Sequence, residues 1–209
     1  QFFQSYYFKD VLVNTLSLSV FTMLVGFPVP IFLALLINEI KSTKLKKAVQ
    51  NITYMPNFLS IVVIVSMLSL FSNKEYGLFN QITAFFGAKP VDFMSRPSAF
   101  QPLYVFSNVW QNMGFNAIIY IAALSAIDPQ LYEAASIDGA TRMQKIIHIS
   151  IPCIMGTILI LFIMRIGNLM SVGFEKVLLM QRDVTISSSE VISTFIYKNG
   201  IQKGQFSYS

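Results

Sequence analysis

Five groups able to carry or exchange charge, Glu133, Asp138, Arg142, Lys145 and His148, fall within sixteen residues of one another. An acid near an imidazole is a starting point for general acid–base chemistry, so a hydrolytic site is the first reading to weigh. The rest of the inventory argues against it. His148 is the only histidine and Cys153 the only cysteine. One histidine argues against a histidine-based metal site or a Ser-His-Asp triad, and one cysteine excludes a disulfide within the chain. His148 reads as a plain polar residue at a membrane edge. No glycine-rich phosphate loop ending in Gly-Lys-Ser/Thr occurs, so ATP chemistry is not expected of this chain.

The elements around this polar cluster are apolar. The 209 residues are 54% hydrophobic and 12% charged, against about 25% charged in soluble domains, which is a membrane-protein composition. The net charge of +5 is not gathered into a nucleic-acid-binding stripe. Lys41, Lys44, Lys46 and Lys47 instead follow an apolar run, where they suit membrane topology. A helix crossing a bilayer needs about 20 apolar residues. Residues 11–37, 52–71 and 100–127 are uncharged, and a fourth run from 149 to 174 is interrupted only by Arg165. No ten-residue alternating strands of a barrel are present. The reading is an all-α, polytopic membrane protein with four spanning helices, the first kinked at Pro28 and Pro30.

Loop charge orients the spans. The loop at 41–47 has four lysines and no acid, and the polar segment after the third run has Arg142, Lys145 and His148. Alternating helices place both on one side, the cytoplasmic side by the positive-inside tendency. Segments 73–99, with Pro90, Arg96 and Pro97, and 181–190 then face outward, the former as a partly ordered connection. The tail from Val191 starts another apolar pattern and ends at Ser209 in an aromatic, serine-rich stretch; the first residue is Gln1. Both ends read as cut, with a preceding and a following helix expected.

The polar segment is therefore a cytoplasmic loop, 128–150, and its chemistry favours two short helices with a break. Asp128 can cap the first, with Pro129 at its first helical position. Gly139 can take the left-handed conformation that ends it, and Thr141 with Gln144 fits a capping box for the second. Met143, Ile146 and Ile147 then form an apolar stripe, and Pro152 restricts Ile151 at the entry to the next span. Such a helix can dock in a partner's groove or lie on lipid.

Glu133-Ala134-Ala135, then Gly139 three residues on, then Ile149-Ser150-Ile151-Pro152 nine residues later, resembles the EAA loop of binding-protein-dependent ABC importer permeases, EAA-x3-G-x9-I-x-L-P, with Ile151 in place of the leucine. Residues 13–16 resemble the start of the family's transmembrane core, and residues 170–180 and 189–201 resemble its carbohydrate branch, related to maltose-type permeases. The resemblance implies the transmembrane domain of a type I ABC importer, about five helices of a six-helix core, as a single domain over 1–209. It implies a multi-pass protein of the bacterial plasma membrane, paired with a second permease, above two cytoplasmic ATPase subunits and served by an extracytoplasmic sugar-binding protein. ATP and magnesium would bind at the ATPases and no cofactor at this chain. On that resemblance Glu133 and Asp138 would make polar contacts, Ala134 and Ala135 would permit close approach, Gly139 would allow the turn, and Met143, Ile146 and Ile147 would fill the ATPase groove.

A pathway is sought among polar residues inside spans. Tyr104, Asn108, Gln111, Asn112, Asn116 and Tyr120 fall along one ridge of the third run, with Trp110 close by. Hydroxyl and amide groups beside rings suit sugars; amides also bond across membrane helices as structural glue. Arg165 is an intramembrane charge, which is costly and faces a cavity or a partner. It is expected on a broad face with Asn168 and Glu175, contacting either a carboxylate-bearing sugar or an acid of the second permease. Import of a non-sugar solute by the same architecture, and a membrane sensor or scaffold docking a cytoplasmic partner, are the competing functions.

Overall fold

The structure is a computed structural model, and it describes residues 8–204. Gln1 and the aromatic, serine-rich end at 205–209 lie outside the described residues. Helices α1 (Phe8–Gly26), α2 (Pro28–Asn38), α3 (Thr43–Tyr54), α4 (Ile61–Ser72), α5 (Leu78–Phe85) and α6 (Pro97–Ser125) precede the polar loop. The loop and the rest contain α7 (Pro129–Ile137), α8 (Arg142–Lys145), α9 (Ile151–Cys153), α10 (Met155–Gly167), α11 (Phe174–Met180), α12 (Ile186–Ser189) and α13 (Ile192–Ile196). No strand occurs among the described residues, so the fold is all-α.

The helices meet the expected spans unequally. Phe8–Asn38 is long and apolar enough to cross a membrane as one piece, and the expected proline kink is a one-residue interruption at Phe27, with Pro28 starting α2. Helix α6 has 29 residues with Pro102 inside it, about 43 Å at 1.5 Å per residue. The second expected span is not one helix. Residues 52–71 are divided: α3 runs into a 3₁₀ turn, Met55–Phe58, and Ser60 leaves the helical conformation to cap α4 by accepting from the Val63 N–H. The fourth run is bent by 61° where α8–α9 meets α10 at Ile154, and it ends at Gly167 rather than continuing to 174.

The chain divides into two compact units. One runs to Met23 and includes Leu59–Asn108 and the chain from Leu169 onward; the other is Leu24–Phe58 with Val109–Asn168. In the first, Val11, Thr15 and Leu18 make the buried stripe of α1. Thr15 Oγ1 accepts from the Ile192 N–H at 3.0 Å, and Asn14 donates to the Ser187 carbonyl at 2.9 Å, so α1 holds the segment around α12 and α13 through polar side chains. Segment 73–99 is more ordered than its composition suggests. The buried Asn80 side chain donates to the carbonyls of Asn73 and Val91 and accepts from the Val91 N–H. It clasps both arms around α5.

The second unit contains both lysine-rich 41–47 and the whole polar loop. Its core packs Ala34, Leu35 and Ile37 of α2 against Ala117, Tyr120, Ile121 and Leu124 of α6 and against Ile154. The α6 positions recur at the i, i+3, i+4, i+7 spacing of one helical face. Gly114, one turn earlier, lets α3 approach: a Cβ there would collide with the backbone carbonyl of Thr53. Gly114→Ala is therefore expected to lower the thermal midpoint of the detergent-solubilised protein, by the roughly 1–3 kcal/mol typical of overpacking a site that cannot move.

Candidate coupling loop and pathway pocket

The polar loop is assembled by local chemistry. Asp128 accepts from the Gln130 N–H at 2.9 Å with Pro129 next to it at the start of α7. Gly139 has φ +77°, the left-handed region that penalises a side chain, and it turns the chain between α7 and α8. Thr141 and Gln144 form a reciprocal capping box, with the Thr141 N–H donating to Gln144 Oε1 at 2.7 Å. A single π-helical turn, Ile146–Ser150, carries α8 into α9. Two contacts tie the arms of the loop together: Lys145 Nζ donates to Ser136 Oγ at 2.6 Å, and the Tyr132 hydroxyl meets Ser150 Oγ at 2.9 Å.

Between the arms lies a concave pocket of about 290 Å³, its wall formed by Ala135, Asp138, Gly139, Gln144 and His148 among others. Glu133, Ala134, Asp138 and Gly139 are exposed, and Ala135 is half-buried. Glu133 and Asp138 make no ion pair among the described residues. The expected apolar stripe divides in two. Met143 and Ile147 are exposed, whereas Ile146 packs against the α2–α6 core. Ile146 anchors the loop, and the outward face is left to Met143 and Ile147. His148 Nδ1 lies 3.0 Å from the Gln144 carbonyl, a contact within its own helix.

The α6 ridge is likewise not one surface. Tyr104 is buried, stacked on Phe100, and its hydroxyl accepts from the Gly173 N–H at 3.2 Å. Tyr104 and Asn108 belong to one compact unit, and Trp110, Gln111, Asn112, Asn116 and Tyr120 to the other. Asn112 accepts from the Asn57 side chain at 3.0 Å, an interhelical bond of the structural kind, and Gln111 is buried. Trp110 is exposed.

Asn116 and Tyr120 instead meet Arg165 in a pocket of about 110 Å³, with Phe27, Pro30 and Leu161 as apolar walls. The broad face expected for Arg165, Asn168 and Glu175 does not form. Helix α10 ends at Gly167, Asn168 turns back to the Met164 carbonyl at 3.1 Å, and Glu175 stands exposed on α11 in the other unit. A single helix cannot be continued across 168–173, so helical spacing across it has no meaning.

Lys176, on α11 beyond the spans, went unremarked in the sequence, although a lysine directly ahead of Val-Leu-Leu-Met is a signal. It is 3% exposed, its Nζ has no hydrogen-bond partner among the described residues, and that Nζ lies 5.5 Å from the Tyr104 ring centroid. Burial lowers its pKa to about 8.

Residues 26–173 match the family described as "Binding-protein-dependent transport system inner membrane component". The chain belongs to that family. It is 41% identical over 199 residues, 95% of its length, to the polygalacturonan/rhamnogalacturonan transport system permease protein YteP of Bacillus subtilis (strain 168), and 36% identical over its full length to Protein LplB of the same organism. It spans 62% and 65% of those two relatives. Among solved structures, a chain of a bacterial ABC transporter involved in the import of the acidic polysaccharide alginate superposes with a TM-score of 0.94 at 43% identity, covering 99% of this chain and 72% of the other. The fold is the transmembrane domain of a type I ABC importer.

The lysine beside Tyr104 has a measurable consequence. A lysine whose folded pKa lies near 8, below its ordinary 10.5, is penalised while protonated. Stability should be lowest below pH 8 and rise between about 8 and 10.5, where the unfolded chain still holds the proton and the folded chain does not. Lys176→Met should stabilise the protein at pH 7 by on the order of 3 kcal/mol, read as a higher thermal midpoint, and abolish the rise measured from pH 8 to 10.

Proposed function

We propose that this chain is one of two transmembrane subunits of an ABC importer for an oligosaccharide, inserted as a multi-pass protein in a bacterial plasma membrane. It would line the translocation pathway and receive the power stroke through the loop at 128–150. A second permease, two cytoplasmic ATPase subunits that bind ATP and magnesium, and an extracytoplasmic sugar-binding protein complete the transporter. Family membership supports the import role, and the polysaccharides in the relatives' names support a carbohydrate. A solved structure of a bacterial alginate ABC transporter in complex with alginate pentasaccharide-bound periplasmic protein supports the binding-protein partner.

The observation that carries the coupling role is the construction of the loop. Two short helices are set by a left-handed glycine and a capping box, braced across their mouth by Lys145 and Ser136, and anchored inward by Ile146. A rigid loop with exposed Met143 and Ile147 beside the unpaired acids Glu133 and Asp138 suits a protein groove with an apolar floor and a basic rim better than lipid, because anionic headgroups would repel the acids. It can transmit force because moving it means moving the core it grows from. A sensor or scaffold has no observation in its favour.

Gly139→Val should leave the protein inserted but abolish coupled transport, since a β-branched residue strongly disfavours φ near +77°. In the reconstituted transporter, the ATPases should dissociate or lose stimulation by the binding protein. Normal uptake with normal stimulation would refute the docking role.

A further inference from the structure

The Arg165 pocket lies wholly within the unit formed by Leu24–Phe58 and Val109–Asn168. Arg165 is half-buried and makes no ion pair among the described residues. Its guanidinium faces inward: a Cβ added at Gly26 of α1 would sit 3.8 Å from Nη2. Asn116 and Tyr120, one helical turn apart on α6, bring an amide and a phenol to the same space. The pocket thus holds a fixed cation, two neutral hydrogen-bonding groups and no carboxylate, closed on other sides by Phe27, Pro30 and Leu161.

An unpaired guanidinium in an apolar setting requires an anion or water. Asn116 and Tyr120 beside the guanidinium favour a ligand carboxylate over an acid from a second permease, because a ligand that carries hydroxyls uses the neutral groups as well. The guanidinium fork pairs with a planar carboxylate through two parallel bonds, the amide and phenol can donate to neighbouring hydroxyls, and the Phe27 ring and Leu161 can cover the C–H face of a pyranose. The volume fits a carboxylate and the edge of the ring that bears it, not a whole oligosaccharide.

We infer that Arg165, with Asn116 and Tyr120, forms a carboxylate subsite of the translocation pathway, so that this transporter selects oligosaccharides containing uronic acid residues. The inference rests on the importer reading and adds to it the charge of the substrate and the residue that reads it. Arg165 is the specificity-determining group; Tyr120 and Asn116 orient the bound ring.

Equilibrium binding of labelled trigalacturonate and of its fully methyl-esterified form to the assembled transporter in nanodiscs, without the binding protein, tests it. The ester keeps the sugar and removes the charge. The wild-type complex should bind the acid in preference to the ester. Arg165→Gln should weaken acid binding by about tenfold or more, the loss of one charge-assisted pair, and leave ester binding unchanged. Arg165→Lys, which keeps the charge and loses the fork, should fall between. Equal loss for acid and ester, unchanged acid binding, or loss of the second permease from the Arg165→Gln complex would each overturn the assignment. A wild-type complex that binds neither oligosaccharide, while its ATPase remains coupled through Gly139, would overturn the uronate subsite and leave the importer reading standing.

Discussion

Ala117, Tyr120, Ile121 and Leu124 run down one face of α6 and close on Ala34, Leu35 and Ile37 of α2 and on Ile154. Everything assigned a function in this unit grows from that contact. Ile146 and Ile151, at either end of the π-helical turn, pack against it from the loop, and Leu161 packs against it from α10. Tyr120 belongs to the core and also lines the Arg165 pocket, as does Leu161. Interiors packed to crystal-like density transmit strain rather than absorb it. Loop, core and pocket thus share contacting side chains inside one compact unit, the route by which the proposed coupling would reach the pocket.

That arrangement gives a division of labour along the loop. Gly139 and the Thr141–Gln144 box set its shape by backbone chemistry alone. Lys145 to Ser136 and Tyr132 to Ser150 keep its arms at fixed spacing. Ile146 packs inward on the core, while Met143 and Ile147 remain exposed. The bend of 61° at Ile154 lies where the loop's last helices meet α10, the helix that bears Arg165. On the proposed function, a partner gripping the loop would act on the base of the helix that bears Arg165.

Local chemistry was legible in the sequence and long-range chemistry was not. Asp128-Pro129, Gly139 and Thr141–Gln144 act within four residues of themselves, so reading them in order is enough. The run at 52–71 misled because hydropathy registers apolar content but not the cap at Ser60 that divides it. The ridge of α6 was correctly aligned in the helix. However, which ridge residues meet a pocket depends on partners 45 or more positions away, Asn57 for Asn112, and Arg165 in the second half of the chain for Asn116 and Tyr120. Lys176 was missed for the same reason, since it is read only when α11 packs it under Tyr104, whereas Asn80, whose partners Asn73 and Val91 lie within eleven residues of it, was missed because the order of those residues does not mark their hydrogen bonds.

The central claim is that the loop presents Met143 and Ile147 to an ATPase while Ile146 stays in the core. Photo-crosslinking in the assembled transporter, with a benzophenone amino acid placed singly at 143, 146 or 147, tests it directly. Positions 143 and 147 should capture the ATPase subunit, and 146 should capture only this chain. Capture of lipid or of the second permease at 143 and 147, or of the ATPase at 146, would contradict the account.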